Sequence, residues 1–190
     1  MTESILFVLI SGTAIGFLVA WLGWPGWLDP RWIIVCLFLL LVPGLWGAFT
    51  TGPFVPSGRK RHQTMLKLAK LNPSDTVYEL GAGGFGLTFA AAKISKKSIG
   101  YEISIPLVLF AKLKKLVIRS KAKVRLGSIW NQNYSDADVL FCYLMPHSMK
   151  RVYKEIWPQL KPGTRLITNA FRIHDLKPIT QENSVYVYQV

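Results

Sequence analysis

Two long apolar runs dominate the first fifty residues. Residues 5–24 and 32–49 contain no charged side chain, and the short segment between them holds Asp29 and Arg31 among several tryptophans. A helix needs about 20 apolar residues to cross a bilayer, and backbone groups in lipid must be paired internally. The pattern predicts a transmembrane helical hairpin over residues 1–49. A cleaved signal peptide is the alternative, but residues 1–4 lack the positive charge that it needs.

The anchor is followed by a short linker and a basic cluster. Residues 50–58 contain Pro53 and Pro56, which keep the linker extended, and Arg59, Lys60 and Arg61 come directly after it. Positively charged flanks stay on the cytoplasmic side of a membrane. The sequence therefore predicts an integral membrane protein whose C-terminal domain faces the cytoplasm and lies close to the bilayer.

From residue 59 onward, helical and strand-like patterns alternate. Helical spacing covers residues 59–71, 87–94, 106–119 and 147–157, and short apolar strands are predicted at 77–80, 98–102, 123–126, 138–144, 164–170 and 184–190. Alternating strands and helices indicate a mostly parallel sheet with helices on both faces. We therefore predict that residues 59–190 form one Rossmann-like, doubly wound α/β domain. Ligands of such domains bind at the carboxyl ends of the strands.

The distribution of charge sets the two parts of the chain apart. Of 23 Lys and Arg residues and 10 Asp and Glu residues, only Glu3, Asp29 and Arg31 precede residue 51. Seven basic residues lie between 112 and 125, and such a segment attracts anionic lipid headgroups. Because of the anchor, we expect the lipid bilayer rather than nucleic acid as partner. The two cysteines and three histidines show no metal-ligand spacing, so no metal is expected.

A glycine-rich loop between a strand and a helix predicts the cofactor site. Glu79, Gly81, Ala82 and Gly83 form its first half, and Glu102 ends the second strand. An acidic residue at that point binds ribose hydroxyls. A pyrophosphate would be repelled by Glu79, whereas a cationic sulfonium ligand would be attracted. These residues favour S-adenosylmethionine, and an NAD(P)-binding oxidoreductase remains the alternative.

The reacting end of the ligand is predicted beside the fourth strand. Tyr143 lies at the end of that strand, and Pro146 fixes the turn after it. Tyr143 is predicted to contact the cofactor and, with Pro146 and backbone carbonyls, to orient an acceptor amine.

Four motifs share their order and spacing with a known family. They are Pro53-Phe54-Val55-Pro56-Ser57, Glu79-Leu80-Gly81-Ala82-Gly83, Gly100-Tyr101-Glu102 and Ala137-Asp138-Val139-Leu140-Phe141. The chain resembles the membrane-anchored seven-β-strand methyltransferases that modify lysines of the adenine nucleotide translocase and of the c-subunit of ATP synthase. The resemblance implies a class I methyltransferase fold, S-adenosylmethionine as cofactor and a lysine of a membrane protein as substrate.

The chain departs from that family's pattern in two places. Gly83-Gly84-Phe85 replaces Gly-Asp-Gly, and no acidic residue follows the third strand. Ser128 and Ile129 are therefore the candidates for contact with the adenine. The displaced glycine leaves a third interpretation open, a membrane-bound interaction module whose cofactor site has decayed.

Overall fold

The computed structural model describes residues 29, 31, 32, 35 and 58–190. The predicted hairpin (residues 1–49) and linker (residues 50–58) therefore lie outside the described residues, apart from those isolated positions and Gly58. The chain divides into two compact units, residues 1–39 and 40–190. In the first unit, Arg31 forms an ion pair with Asp29 at 2.9 Å. No helix among the described residues has both the length and the apolar character needed to cross a membrane.

The second unit alternates helices and strands as predicted. The helices are α1 (Arg59–Ala69), α2 (Gly86–Ala91), α3 (Ile105–Val117) and α4 (Pro146–Arg151), and the strands are β1 (Thr76–Leu80), β2 (Lys97–Glu102), β3 (Lys123–Leu126), β4 (Val139–Cys142), β5 (Arg165–Asn169), β6 (Thr180–Glu182) and β7 (Val185–Gln189). The single helix predicted over 147–157 is α4 continued by a π-helical turn, Val152–Ile156, and a 3₁₀ turn, Trp157–Gln159.

The strands form one seven-stranded sheet in the order β3-β2-β1-β4-β5-β7-β6. The first five strands of this order are parallel, and β7 and β6 are added in antiparallel pairs. The predicted mostly parallel α/β sheet is confirmed. The sequence pattern predicted six strands and missed β6, because its three residues are polar and mostly exposed.

Both faces of the central strands are buried. Val77, Phe141 and Ile167 pack with Met65 of α1 and Leu87 of α2 on one face. Tyr78, Leu80, Leu140 and Leu166 pack with Val152 and Ile156 on the other. This double coverage explains the unbroken apolar run of β4. It also makes the carboxyl ends of the strands the natural place for a site.

The apolar spacing that predicted α3 does not mark its buried face. Only Val108 and Ala111 of this helix are buried, whereas Phe110, Leu113 and Val117 are 62%, 64% and 83% exposed. The helix is confirmed, but most of its large apolar side chains point away from the domain.

Candidate active site

The glycine loop joins β1 to α2 at the carboxyl edge of the sheet. Gly81 and Gly83 have φ values of +66° and +51°, a left-handed conformation that favours glycine. The N–H of Ala82 donates to the carbonyl of Tyr101 at 2.8 Å, which ties the loop to the end of β2. A Cβ on Gly81 would lie 3.0 Å from Cδ2 of Leu144, so the loop also packs closely against the segment after β4.

Glu79 lies beneath the loop and is only 8% exposed. Its Oε2 accepts hydrogen bonds from the N–H of Thr88, at 2.7 Å, and from the Thr88 hydroxyl. Burial raises the pKa of Glu79 to about 7; hydrogen bonds from Thr88 and Leu87 oppose the rise, and the charge of Glu102 adds to it. Thr88 is in the first turn of α2, where backbone N–H groups have no helical partner. Glu79 therefore fixes the start of α2, and as pH rises above about 7 it brings negative charge beneath the glycine loop.

Glu102 closes the opposite side of the loop. Its Oε2 accepts the N–H of Gly83, and its Oε1 accepts the N–H groups of Ile103 and Ser104, each at 2.8 Å. Ser104 is the N-cap residue of α3 but makes no capping bond with its own side chain. A carboxylate offers about four acceptor positions. Glu102 therefore orders the loop and keeps one acceptor position on Oε2 for a ligand.

Both carboxylates lack a basic partner within the described part of the chain, where the ion pairs involve other acids. Two unpaired carboxylates beside a glycine loop fit a ligand that carries positive charge. S-adenosylmethionine, with its sulfonium and ammonium groups, meets this requirement. A pyrophosphate does not.

Phe85 occupies the position where the resembled family has its second glycine. It has φ +57° and is fully buried, packed with Phe89, Val108 and Val124. A Cβ on Gly100 would lie 2.7 Å from Cδ1 of Phe85 and would also clash with Thr88. The packing of the Phe85 side chain therefore compensates for the cost of placing a non-glycine residue at this position, and the loop keeps its left-handed turn.

Ser128 and Ile129 follow β3 and start a 3₁₀ turn, Ile129–Asn131. The Ser128 hydroxyl accepts the N–H of Trp130 at 3.3 Å. The Ile129 side chain is 4% exposed, and its carbonyl accepts the Tyr134 hydroxyl at 2.7 Å. Both residues thus have structural contacts, and their contact with adenine stays a prediction.

Tyr143 and Pro146 lie beyond the end of β4. Tyr143 directly follows the strand and is partly buried, and Pro146 is exposed at the first position of α4. Each is at the carboxyl edge, as predicted, and the roles assigned to them remain predictions.

Asn169, which the sequence analysis missed, ends the neighbouring strand β5. It is fully buried, and neither its amide nitrogen nor its amide oxygen has a hydrogen-bond partner within the described residues. Phe141 pairs with Ile167 in the β4–β5 register, so two residues further on Asn169 is level with Tyr143. Its signal in the sequence was a polar residue that ends an apolar strand at the ligand-binding edge.

The start of α1 lies beside the same loop. A Cβ on Gly86 would be 2.5 Å from Cε1 of His62, so the imidazole covers the first residue of α2. Burial, with a smaller contribution from Lys114, lowers the pKa of His62. The chain therefore enters the domain at the carboxyl edge, next to the candidate site.

Solved structures place this fold among the methyltransferases. The RNA methyltransferase from Salinibacter ruber, in complex with S-adenosyl-L-homocysteine, is 26% identical with a TM-score of 0.66, over 71% of this chain and 93% of that one. The tRNA methyltransferase TrmK from B. subtilis, 19% identical with a TM-score of 0.54 over 70% of this chain and 66% of that one, has the same fold. The fold and the site together define a Rossmann-like methyltransferase.

Sequence relatives identify the family. Residues 79–180 match the ANTKMT methyltransferase domain. A protein-lysine N-methyltransferase of Saccharolobus islandicus is 30% identical over 130 residues, covering 66% of this chain and 81% of that protein. The human lysine N-methyltransferase of the ATP synthase c-subunit is 24% identical over 121 residues, 63% of this chain and 52% of that protein. The chain belongs to the ANTKMT methyltransferase domain family and is an S-adenosylmethionine-dependent methyltransferase, which sets aside the oxidoreductase and decayed-site interpretations.

Proposed function

We propose that this enzyme methylates the side-chain amine of a lysine in a membrane protein. The relatives support a lysine acceptor, since both are named as lysine N-methyltransferases. The human relative supports a membrane-embedded acceptor, because its name specifies the c-subunit of ATP synthase. The chain spans about half of that relative's length.

We also propose that residues 1–49 anchor the enzyme as an integral membrane protein, with its catalytic domain on the cytoplasmic side. The uncharged runs at residues 5–24 and 32–49 support the anchor, and the basic cluster at residues 59–61 supports its orientation. The contact between His62 and Gly86 brings the start of α1 to the carboxyl edge. The nine residues of the linker reach at most about 30 Å. An anchored domain would thus hold its active site near the bilayer surface, where a membrane protein is concentrated by confinement to the same surface.

The cofactor would lie across the carboxyl edge from β3 to β4. Glu102 would bind the ribose hydroxyls through its free acceptor position on Oε2. Gly81, Ala82 and Gly83 would face the methionine portion, with Glu79 beneath them, and Ser128 and Ile129 would border the adenine. When bound, the cofactor supplies a methyl group activated by a positively charged sulfur.

The acceptor would be oriented by Tyr143 and Asn169 at the ends of β4 and β5. A free lysine has a pKa of about 10.4, so its ammonium must first lose a proton to water. The Asn169 amide oxygen and the Tyr143 hydroxyl oxygen would then accept hydrogen bonds from the two remaining N–H groups and aim the nitrogen lone pair at the methyl group. Pro146 would keep the turn beside the acceptor nitrogen fixed while the cofactor supplies its methyl group to that nitrogen.

The test is to incubate the full chain with native membranes and methyl-labelled cofactor. We expect methyl-lysine after hydrolysis of a labelled membrane protein, with loss of the label in Glu102→Ala. Glu155→Ala, which removes an exposed carboxylate paired with Arg151, is the matched control and should label normally. Label confined to lipid, RNA or soluble protein would contradict the proposal.

A further inference from the structure

Helix α3 carries a continuous apolar stripe on its outer face. Its members are 52–83% exposed and are Leu109, Phe110, Leu113, Leu116 and Val117. Residues spaced by three and four positions share one side of a helix. Two further exposed apolar side chains lie nearby: Ile118, the C-cap residue of α3, is 46% exposed, and Leu126, in the edge strand β3, is 53% exposed. We call these seven residues the α3 surface. Monomeric soluble proteins seldom expose so large a contiguous apolar patch unless it binds something.

The charge around the α3 surface is of one sign. No Asp or Glu occurs between Glu102 and Asp136, whereas the same stretch contains Lys112, Lys114, Lys115, Arg119, Lys121, Lys123 and Arg125. Among the described residues, none of these seven basic side chains forms an ion pair with a carboxylate. Lys114 lies over the ring of Phe89, at 5.4 Å. The surface therefore combines insertable apolar side chains with unneutralised positive charge, as helices that lie in a membrane interface do.

We propose that the α3 surface docks onto an anionic lipid bilayer, with its apolar stripe at the boundary between headgroups and acyl chains. A second copy of the chain is a poor occupant, because symmetric contact would bring seven cations against seven. A nucleic acid would bind the basic side chains but leave the apolar stripe exposed to solvent. Protein interfaces are enriched in Tyr, Trp and Arg and depleted in Lys, whereas this surface combines Leu and Val with Lys.

Docking through α3 would orient the active site, and this step rests on the proposed function. Residues 109–117 extend for about 12 Å along the helix, which packs beside β2 and β3 at one edge of the sheet. With that edge on the bilayer, the strands would run along the membrane surface and their carboxyl ends would open sideways at headgroup level. A lysine at that depth of a membrane protein could then reach the ends of β4 and β5.

The docking can be measured in the full chain with a fluorescent probe. The probe is attached at Leu113→Cys in a Cys36→Ser background, since Cys142 is buried. The protein is reconstituted with vesicles of phosphatidylcholine alone or mixed with phosphatidylglycerol, each containing brominated lipid as quencher. We expect several-fold stronger quenching in the mixed vesicles. A probe at Lys154→Cys, on the opposite side of the sheet, should stay unquenched in both.

Two variants separate the apolar and electrostatic contributions. Leu113→Ser with Val117→Ser should reduce binding through α3 by tenfold or more, followed with the probe at Leu116→Cys. Lys112→Glu with Lys121→Glu should reduce it similarly, because each cation near an anionic surface contributes about fivefold. Lys150→Glu with Lys154→Glu is the matched control and should have little effect.

The outcomes distinguish this inference from the anchor and from the enzyme activity. An unquenched probe on vesicle-bound protein would overturn it, as would quenching that is equal in neutral and anionic vesicles. Protection of the probe by self-association, without lipid quenching, would also overturn it. In a density gradient, a protein that floats with anionic vesicles but not with neutral ones would refute the anchor and support α3 docking. A docked protein that transfers no methyl group to lysine would refute the proposed function alone.

Discussion

Replacing Glu79 with glutamine should change how the stability of the domain depends on pH. Burial raises the pKa of Glu79 from 4.5 to about 7. A carboxyl whose pKa is raised by folding binds its proton more tightly in the folded state. Its contribution to stability is fully present below about pH 4.5 and is lost as pH rises through about 7.

The size of the effect follows from the pKa shift. One unit corresponds to about 1.4 kcal/mol, so wild type should lose about 3 kcal/mol from this group between acidic and slightly alkaline pH. Glutamine does not titrate, and its oxygen still accepts the N–H of Thr88. Relative to wild type, Glu79→Gln should therefore gain about 3 kcal/mol over that range. The lowered pKa of His62 affects both proteins and cancels in the difference.

The assay is urea unfolding of both proteins in detergent, from about pH 4.5 to about pH 8. A stability difference that does not change with pH would refute the assignment of a raised pKa. Binding supplies a second readout, because an ionised Glu79 attracts the sulfonium charge that S-adenosylhomocysteine lacks. The variant should lose more affinity for S-adenosylmethionine than for S-adenosylhomocysteine, and equal losses would contradict the electrostatic role.

Substitutions at three further positions test the packing and the acceptor side of the site. Gly100→Ala should cost about 1–3 kcal/mol in urea unfolding, because its Cβ would overlap Phe85 and Thr88. Gly58→Ala, with open space around it, should cost little. Phe85→Ala should cost about 3–5 kcal/mol, and Phe85→Gly should cost about 1 kcal/mol less because it relieves the left-handed backbone; the opposite order would argue against strain at this position. Asn169→Leu should unfold no more easily than wild type, since it removes an unpaired buried amide, yet its kcat should fall about tenfold or more. Unchanged kcat would exclude Asn169 from the site.

Much of the fold could be predicted because the buried strands are short, apolar and bounded by turns. The pattern located β3 at residues 123–126 without error and β4 within two residues at its ends. It missed β6 because Thr180–Glu182 joins the sheet through backbone pairing with β7, which side-chain polarity does not reveal. The apolar spacing of α3 identified the helix but not its buried face, since the same spacing suits a helix that faces a membrane.

The site was predictable where backbone geometry demands particular residues. Gly81 and Gly83 adopt left-handed conformations, and Glu102 ends β2 beside them. The contact between Glu79 and Thr88 was not predictable, because it depends on where α2 begins in three dimensions. Asn169 was missed for a related reason. A single polar residue at the end of an apolar strand becomes informative only when its side chain is seen to be buried and unpaired.

Binding of S-adenosylmethionine to wild type and Glu102→Ala, measured by calorimetry, tests the central claim most directly. Glu102 both orders the glycine loop through Gly83 and offers an acceptor to the ribose. Hydrogen bonds to charged groups contribute about 1.5–3 kcal/mol, so affinity should fall about ten- to a hundred-fold. Glu155→Ala should bind as wild type does. Unchanged affinity in Glu102→Ala would contradict the cofactor site described for this enzyme.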